Sequence, residues 1–248
     1  QDMCDYYATW IKGLKSEYGL DLDAIGCRNE KGVSKDFVKM FRATLNKEGL
    51  NHVKIHAFDN WTADKFAWCK DMLTDSILRE SVDIMSAHTM SEIPIPPEII
   101  ELSNQLGKPI WNSEEHNARL GYDCQISLVE QFNKNYIDNG VTKIVNWFLV
   151  GSTYTNEPYH EEAATMIARE PWSGHYYTRE VLWGYAHYGQ FSAVGWQYLN
   201  GGYGKLDHGG TYVTLKSPGT DYSIIIETKG AKANQKISFK IAGGLSNN

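Results

Sequence analysis

The sequence predicts an α/β protein: the C-terminal part of a (β/α)8 TIM barrel, about five strands, followed by part of a β-sandwich. Short apolar runs recur roughly every 25 to 35 residues, each followed by a helical pattern, which is the rhythm of parallel β/α units. From about residue 192 the chain turns Gly- and Thr-rich, with short alternating runs suited to antiparallel strands. Five strands occupy the first 150 residues and a helix precedes them, whereas an eightfold barrel takes about 250 residues, so three further strands are expected upstream of Gln1. The expected domains are residues 1–191, a partial barrel, and residues 192–248, a partial sandwich. A five-stranded open sheet is the alternative.

Tyr6 to Tyr18 sets Tyr7, Trp10, Ile11 and Leu14 at helical spacing, and Gly19 follows as a stop. Asp23 to Glu30 reads as the first strand. Ser34 then reads as the N-cap of a helix to Asn46, with Phe37, Val38, Phe41 and Leu45 on one face. Val53 to Asp59 alternates as a second strand, and Thr62 to Arg79 carries Phe66, Cys69, Met72, Leu73 and Ile77 as one long helix. Val82 to His88 is a third strand, followed by a short helix from Pro97 to Leu106 whose proline suits a first turn. Pro109 to Glu114 is the fourth strand, Cys124 to Asn139 a helix ended by Gly140, and Lys143 to Val150 the fifth strand. Gly151 to Trp172 has no period and reads as a long rim loop containing Tyr154 and Tyr159, and Gly174 to Phe191 reads as an aromatic-rich helix. Thr211–Leu215, Tyr222–Ile226 and Lys236–Ile241 are expected as strands, with turns at Ser217-Pro218-Gly219 and Lys229-Gly230.

Composition excludes several classes. A formal charge of −6 with Lys and Arg scattered gives no basic stripe for a phosphate backbone, so nucleic acid is not an expected partner. No run approaches the roughly 20 apolar residues that span a bilayer, and no signal-peptide pattern follows Gln1, so the protein is either cytosolic or lacks its true N-terminus. Cys4, Cys27, Cys69 and Cys124 form no CxxC pair and have no His at zinc-finger spacing, so no metal or other cofactor is expected and free buried thiols are favoured. Asn60-Trp61-Thr62 is a glycosylation acceptor if the chain is exported.

Chemistry gathers at the strand ends. Ile25 to Glu30 finishes on a carboxylic acid, as does Pro109 to Glu114, and the carboxyl end of a parallel barrel is where catalytic groups collect. With two strands between them, Glu30 and Glu114 face each other across a barrel mouth, the arrangement a glycosidase needs to flank one glycosidic bond. Glu30 is assigned as acid/base, its proton retained against the charge of Glu114, and Glu114 as nucleophile. Glu115 competes for that role, but neighbouring strand residues face opposite sides. Asn29 is expected beside the site, within reach of a sugar 2-hydroxyl. Trp147, Tyr154, Tyr159 and Trp172 offer aromatic faces for pyranose rings, and His88 is either a hydroxyl contact or a satisfied polar group. Absence of a Gly-x-Ser-x-Gly elbow argues against a Ser-His hydrolase.

An ordered series of motifs resembles glycoside hydrolase family 59, the galactocerebrosidase family. It includes Asp23-Ala24-Ile25-Gly26 with Asn29-Glu30, Val53-Lys54-Ile55 with Asp59-Asn60, Ser86-Ala87-His88, Trp111-Asn112-Ser113-Glu114, Asn135-Tyr136-Ile137, Trp147, Pro158-Tyr159, Glu170 to Tyr176, Gln190-Phe191 with Gly195-Trp196, and Ile224 to Thr228. The resemblance implies a retaining exo-β-galactosidase, acting on terminal β-galactosides including galactosylceramide-like glycolipids, in a secreted or lysosomal setting. It puts the acid/base on Glu30 and the nucleophile on Glu114, and matches Asn29, Trp147 and Tyr159 to substrate contacts. Arg28 stands where the family has Trp, Thr89 where it has Tyr, and Asn117 where a Ser contacts the site. No Arg follows Arg179 to match one the family draws from its sandwich. A related β-glycosidase of other sugar specificity and a non-catalytic carbohydrate-binding protein are the alternatives.

Overall fold

The computed structural model describes residues 1–61, 66–116, 123–152 and 164–240. Five parallel strands lie in the order of the chain, β1 (Ala24–Gly26), β2 (Lys54–Ala57), β3 (Ile84–His88), β4 (Ile110–His116) and β5 (Lys143–Trp147). Helices α1 (Asp2–Tyr18), α2 (Lys35–Lys47), α3 (Ser76–Ser81), α4 (Pro97–Leu106) and α5 (Cys124–Asn139) alternate with them. This is the partial barrel that the β/α rhythm predicts.

Cap chemistry sets the helix limits. The Ser34 hydroxyl accepts from the Phe37 amide at 3.1 Å and starts α2, while Gly19, Gly107 and Gly140 take left-handed conformations that close α1, α4 and α5. Helical spacing puts Val38, Phe41 and Leu45 on one side of α2, where they are buried with Ile55, Ala57, Met85, Ala87 and Ile110 from the sheet. All four cysteines are free and buried, and burial pushes the Cys27 thiol up to about 12.

The long helix expected over Thr62 to Arg79 does not form. Residues 62–65 lie outside the described residues, Cys69–Leu73 is a 3-10 turn, and α3 begins only at Ser76. Asp75 has an extended backbone and accepts from the Leu78 amide at 2.9 Å, so local cap chemistry overrides the apolar period. The fifth expected strand also divides. β5 stops at Trp147, and β6 (Val150–Ser152) joins a separate small sheet with β7 (Met166–Ala168) and β8 (Tyr177–Thr178). These last two elements, with a 3-10 turn at Pro171–Ser173, occupy parts of the expected rim loop and aromatic helix, so α6 is only Val181–Gly189.

The β-rich part contributes one antiparallel sheet of β9 (Gln197–Lys205), β10 (Thr211–Lys216) and β11 (Tyr222–Glu227). Val213, Leu215 and Ile225 pack on Val129 of α5. The Tyr188 hydroxyl donates to Asn133, the Asn133 amide to Thr211 Oγ1 at 3.0 Å, and that hydroxyl to Glu227 at 2.7 Å, a buried chain joining α6 and α5 to the sheet. Lys236–Ile241 is not a strand over its described residues: Phe239 is 41% exposed and meets Tyr212 edge-on, while Gln235 secures the segment through side-chain bonds to His208 and Gly209. Among the described residues no strand pairs with this segment. Among the described residues no helix is long and apolar enough to cross a membrane.

Candidate active site

Side chains of a β-strand alternate, and here one face of the sheet meets the helices while the other presents Gly26, His56, Ser86, His88, Trp111 and Ser113. Register shifts in β4, between Asn112 and Glu115 against β5 and at His88 against β3, pair Glu114 directly with His88. A bulge re-aims a side chain, and this one brings Glu114 beside the imidazole. The strand ends are tied across the rim: the Glu30 amide donates to Asp59 O at 2.9 Å, His88 N to Asn60 O at 3.2 Å, and Thr89 N to Glu114 O at 2.8 Å. Glu30, Phe58, Asp59 and Thr89 all have positive φ, at 53°, 91°, 21° and 49°. Such backbone is sparsely populated for side-chain-bearing residues and clusters at functional sites.

His88 is the hub of the site. Its Nδ1 lies 3.1 Å from Glu30 Oε1 and 3.7 Å from Glu114 Oε2, and its Nε2 lies 2.8 Å from Asp59 Oδ1. One ligand-type atom each from Glu30, His88 and Glu114 falls within 4.8 Å of the others. Burial alone would push His88 down, but the Asp59 hydrogen bond and the charges of Asp59 and Glu114, with Glu30, outweigh it and raise the pKa. Asp59 is the converse. Burial would raise it, yet the His88 hydrogen bond, the nearby Ser113 hydroxyl at a geometry short of a full bond, and the two histidines hold it below the usual range. Glu114 is pushed up by burial, opposed by His88, with Glu30 and Asp59 adding to the rise.

The Glu30–His88–Glu114 grouping is also the set of atoms, among the described residues, near enough to share an ion. With Nε2 turned to Asp59, only Nδ1 could join the two carboxylates, which gives three donors among the described residues. The arrangement suits proton chemistry better than coordination.

Glu115 is turned the other way. It is fully buried and accepts from Asn112 Nδ2 at 2.7 Å, Asn135 Nδ2 at 3.3 Å, and the Ser91 and His116 amides at 3.0 and 3.3 Å. It fastens β4 to α5 and to the segment after β3. Glu115→Gln puts an amide N–H against donors, and is expected to destabilise the protein by about 2 kcal/mol in a denaturant titration. A midpoint equal to the native one would contradict this structural role.

Asn29 is exposed and lines a cavity of about 490 Å3 with Arg28, Gly26, His56, Asp59 and Trp111. Trp147 is 39% exposed at the end of β5, its ring 5.6 Å from that of His116. His88 is 1% exposed, with both ring nitrogens facing carboxylates. Tyr154, Tyr159, Asn117 and Thr62 of the glycosylation triplet lie outside the described residues. A cavity of about 540 Å3 between α5, α6 and β5 is lined by Phe132, Ile144, Tyr185, Tyr188 and Tyr198, and no carboxylate or imidazole stands among its described lining residues.

Sequence reasoning missed Asp59 and His56. Asp59 was legible in principle, because it follows β2 as Glu30 follows β1. His56 was not: its Nδ1 lies 2.9 Å from Ser86 Oγ, whose proton goes to Ala57 O at 3.0 Å. That chain makes Nδ1 the donor, and burial holds the ring below the usual histidine range, so it is neutral with Nε2 bare. Gly26 makes the room, since a Cβ there would lie 2.8 Å from His56 Nε2 and 3.4 Å from Asp59 Oδ2.

Parallel β/α units with acids converging on their carboxyl rim, followed by an antiparallel sheet, are the architecture of the barrel glycosidases. Solved structures agree on the fold: SrfJ from Salmonella typhimurium aligns at TM-score 0.71 and 14% identity over 91% of this chain and 54% of its own. The family 30 subfamily 8 xylanase Xyn30A from Clostridium acetobutylicum aligns at 0.66 and 16%, over 87% and 53%. The chain belongs to glycosyl hydrolase family 59, whose model matches residues 1–190. It is 36% identical to the galactocerebrosidases of Macaca mulatta and Homo sapiens over 236 residues, 94% of this chain and 32% of each relative. The putative galactocerebrosidase of Caenorhabditis elegans is 26% identical over 93% of the chain. The chain thus spans about a third of the length of the curated relatives it matches.

Proposed function

We propose that this chain carries the acid/base and nucleophile of a retaining exo-β-galactosidase that hydrolyses terminal β-galactosides, galactosylceramide-like glycolipids among them, by double displacement. Residues 1–191 serve as the barrel part and residues 192–248 as the sandwich part. The observation that carries the reading is the close approach of Glu30 and Glu114, with oxygens no more than 4.8 Å apart. Retaining enzymes hold their carboxyl groups about 5 to 5.5 Å apart, whereas inverting ones need roughly 6.5 to 9.5 Å to admit a water. Galactose is favoured by the names of the relatives, and no metal or nucleotide takes part in the steps.

Glu30 protonates the aglycone oxygen while a Glu114 oxygen bonds to the anomeric carbon and the glycosidic bond breaks. Water, deprotonated by Glu30, then releases the sugar from Glu114. Asn29, at the rim, is assigned to the sugar 2-hydroxyl, and Trp147, Tyr159 and Asn117 to the ring and its hydroxyls. A 2-fluoro-galactosyl inactivator followed by peptide mapping tests the assignment: a label on Glu114 is expected, and a label elsewhere, or none while the gluco-configured reagent reacts, would overturn it.

Attack requires ionised Glu114. Its pKa is raised by burial, so at a given mildly acid pH a larger fraction is protonated and inactive than for an ordinary glutamate. The acid limb of kcat/KM is therefore expected above the usual glutamate range, and a limb within that range would count against Glu114 as the group titrating there.

A further inference from the structure

Two carboxylates less than 5 Å apart repel, and through the double displacement the negative charge moves between them. Before attack it sits on Glu114. Once the sugar is bonded to a Glu114 oxygen and the proton has left Glu30 with the aglycone, it sits on Glu30. A single N–H, His88 Nδ1, stands between the two, 3.1 Å from one and 3.7 Å from the other. The opposite nitrogen faces a third carboxylate, Asp59, at 2.8 Å. Before attack Glu30 carries the proton, but Asp59 and Glu114 are ionised on opposite sides of the ring, and two carboxylates flanking one imidazole favour the imidazolium.

Resting on the galactosidase reading above, we propose that Asp59 and His88 form a positioning pair. Asp59 holds His88 protonated with Nδ1–H between Glu30 and Glu114, so that one fixed cation compensates whichever carboxylate is charged. His88 transfers no proton and touches no substrate atom: at 1% exposure it acts through the two glutamates. Among the described residues, the cations nearest the cluster are Lys143 of β5, which lies over Trp111 and bears on His56, and Arg28, on the wall of the same cavity. His56, from β2, is neutral and donates to Ser86; Ser113 and Glu114 come from β4; and His116 lies near enough to favour the ionised form of Glu114. The raised pKa of His88 and the lowered pKa of Asp59 agree with the geometry. The backbone is shaped for the pair as well: Asp59 has a positive φ, and Gly26 leaves space beside its second oxygen.

The test has two arms. In the first, the ring nitrogens of His88 are followed by 15N NMR across pH in the native protein and in Asp59→Asn. Both nitrogens are expected to be protonated at neutral pH in the native protein, with the titration midpoint falling by about one unit or more in the variant. A neutral His88 at pH 7, or an unmoved midpoint, would overturn the proposal. This arm needs no turnover, so it reads the pair even if the galactosidase reading fails, a failure that absence of 2-fluoro-galactosyl labelling in the native protein would expose by itself. In the second arm, the pH dependence of inactivation by the same reagent is compared between the native protein and His88→Gln, whose side chain keeps a donor but not the charge. The acid limb is expected to rise by about one unit. A fall in rate with the limb unmoved would reduce His88 to a structural role and overturn the inference.

Discussion

Glu114→Gln is expected to lower kcat by roughly 10^4- to 10^6-fold while leaving the melting temperature within a degree or two of the native value. The size follows from the role. Without a carboxylate to bond to the anomeric carbon the two-step route is closed, and an attacking water has no space between groups this close. A loss of that order corresponds to about 5 to 8 kcal/mol of barrier. The small effect on stability follows from position, because the Glu114 side chain is 22% exposed and His88 keeps its bonds to Glu30 and Asp59. Glu115 is the control: its replacement acts on stability through buried donors and adds no nucleophile to the site. Full activity in Glu114→Gln, or a loss of activity matched by a loss of fold, would remove Glu114 from the reaction.

Much of this was legible because local chemistry and packing agree. The helices Pro97–Leu106 and Cys124–Asn139 stand where Pro97, Gly107 and Gly140 put their ends, and the five strands lie in chain order. Glu30 and Glu114 were expected as the last residues of their strands; β1 in fact stops at Gly26 and β4 runs on to His116, yet both acids still reach the rim. Two kinds of feature stayed hidden. One is competition between a side-chain cap and an apolar period, as at Asp75, where a single short-range hydrogen bond restarted a helix that the pattern drew as continuous. The other is a register shift. The β4 irregularity decides that Glu114 and not Glu115 joins His88, and alternation says only that the two cannot share a face. The charge state of His88 lay beyond reach because it depends on Glu30, Asp59 and Glu114, which come from three different β/α units and as much as 58 residues away.

Glu30→Ala should separate acid catalysis from attack, because the two steps ask different things of the same carboxyl. With a galactoside whose leaving group has a high pKa, protonation limits the first step, and kcat is expected to fall about 10^2- to 10^4-fold. With a dinitrophenyl galactoside the leaving group departs unprotonated, so formation of the galactosyl intermediate should be little affected and an initial burst should appear as hydrolysis, which still lacks its base, becomes limiting. Azide, a nucleophile that needs no base, should then restore turnover and yield the β-configured galactosyl azide. The opened space favours this, since Glu30 is 35% exposed and reaches the site from the rim rather than from the core. Equal losses for good and poor leaving groups, with no burst and no azide product, would take the acid/base role from Glu30. Retention in the azide adduct would also fix the geometry of attack, because a β product requires an α-linked intermediate on the opposite face, the side that belongs to Glu114.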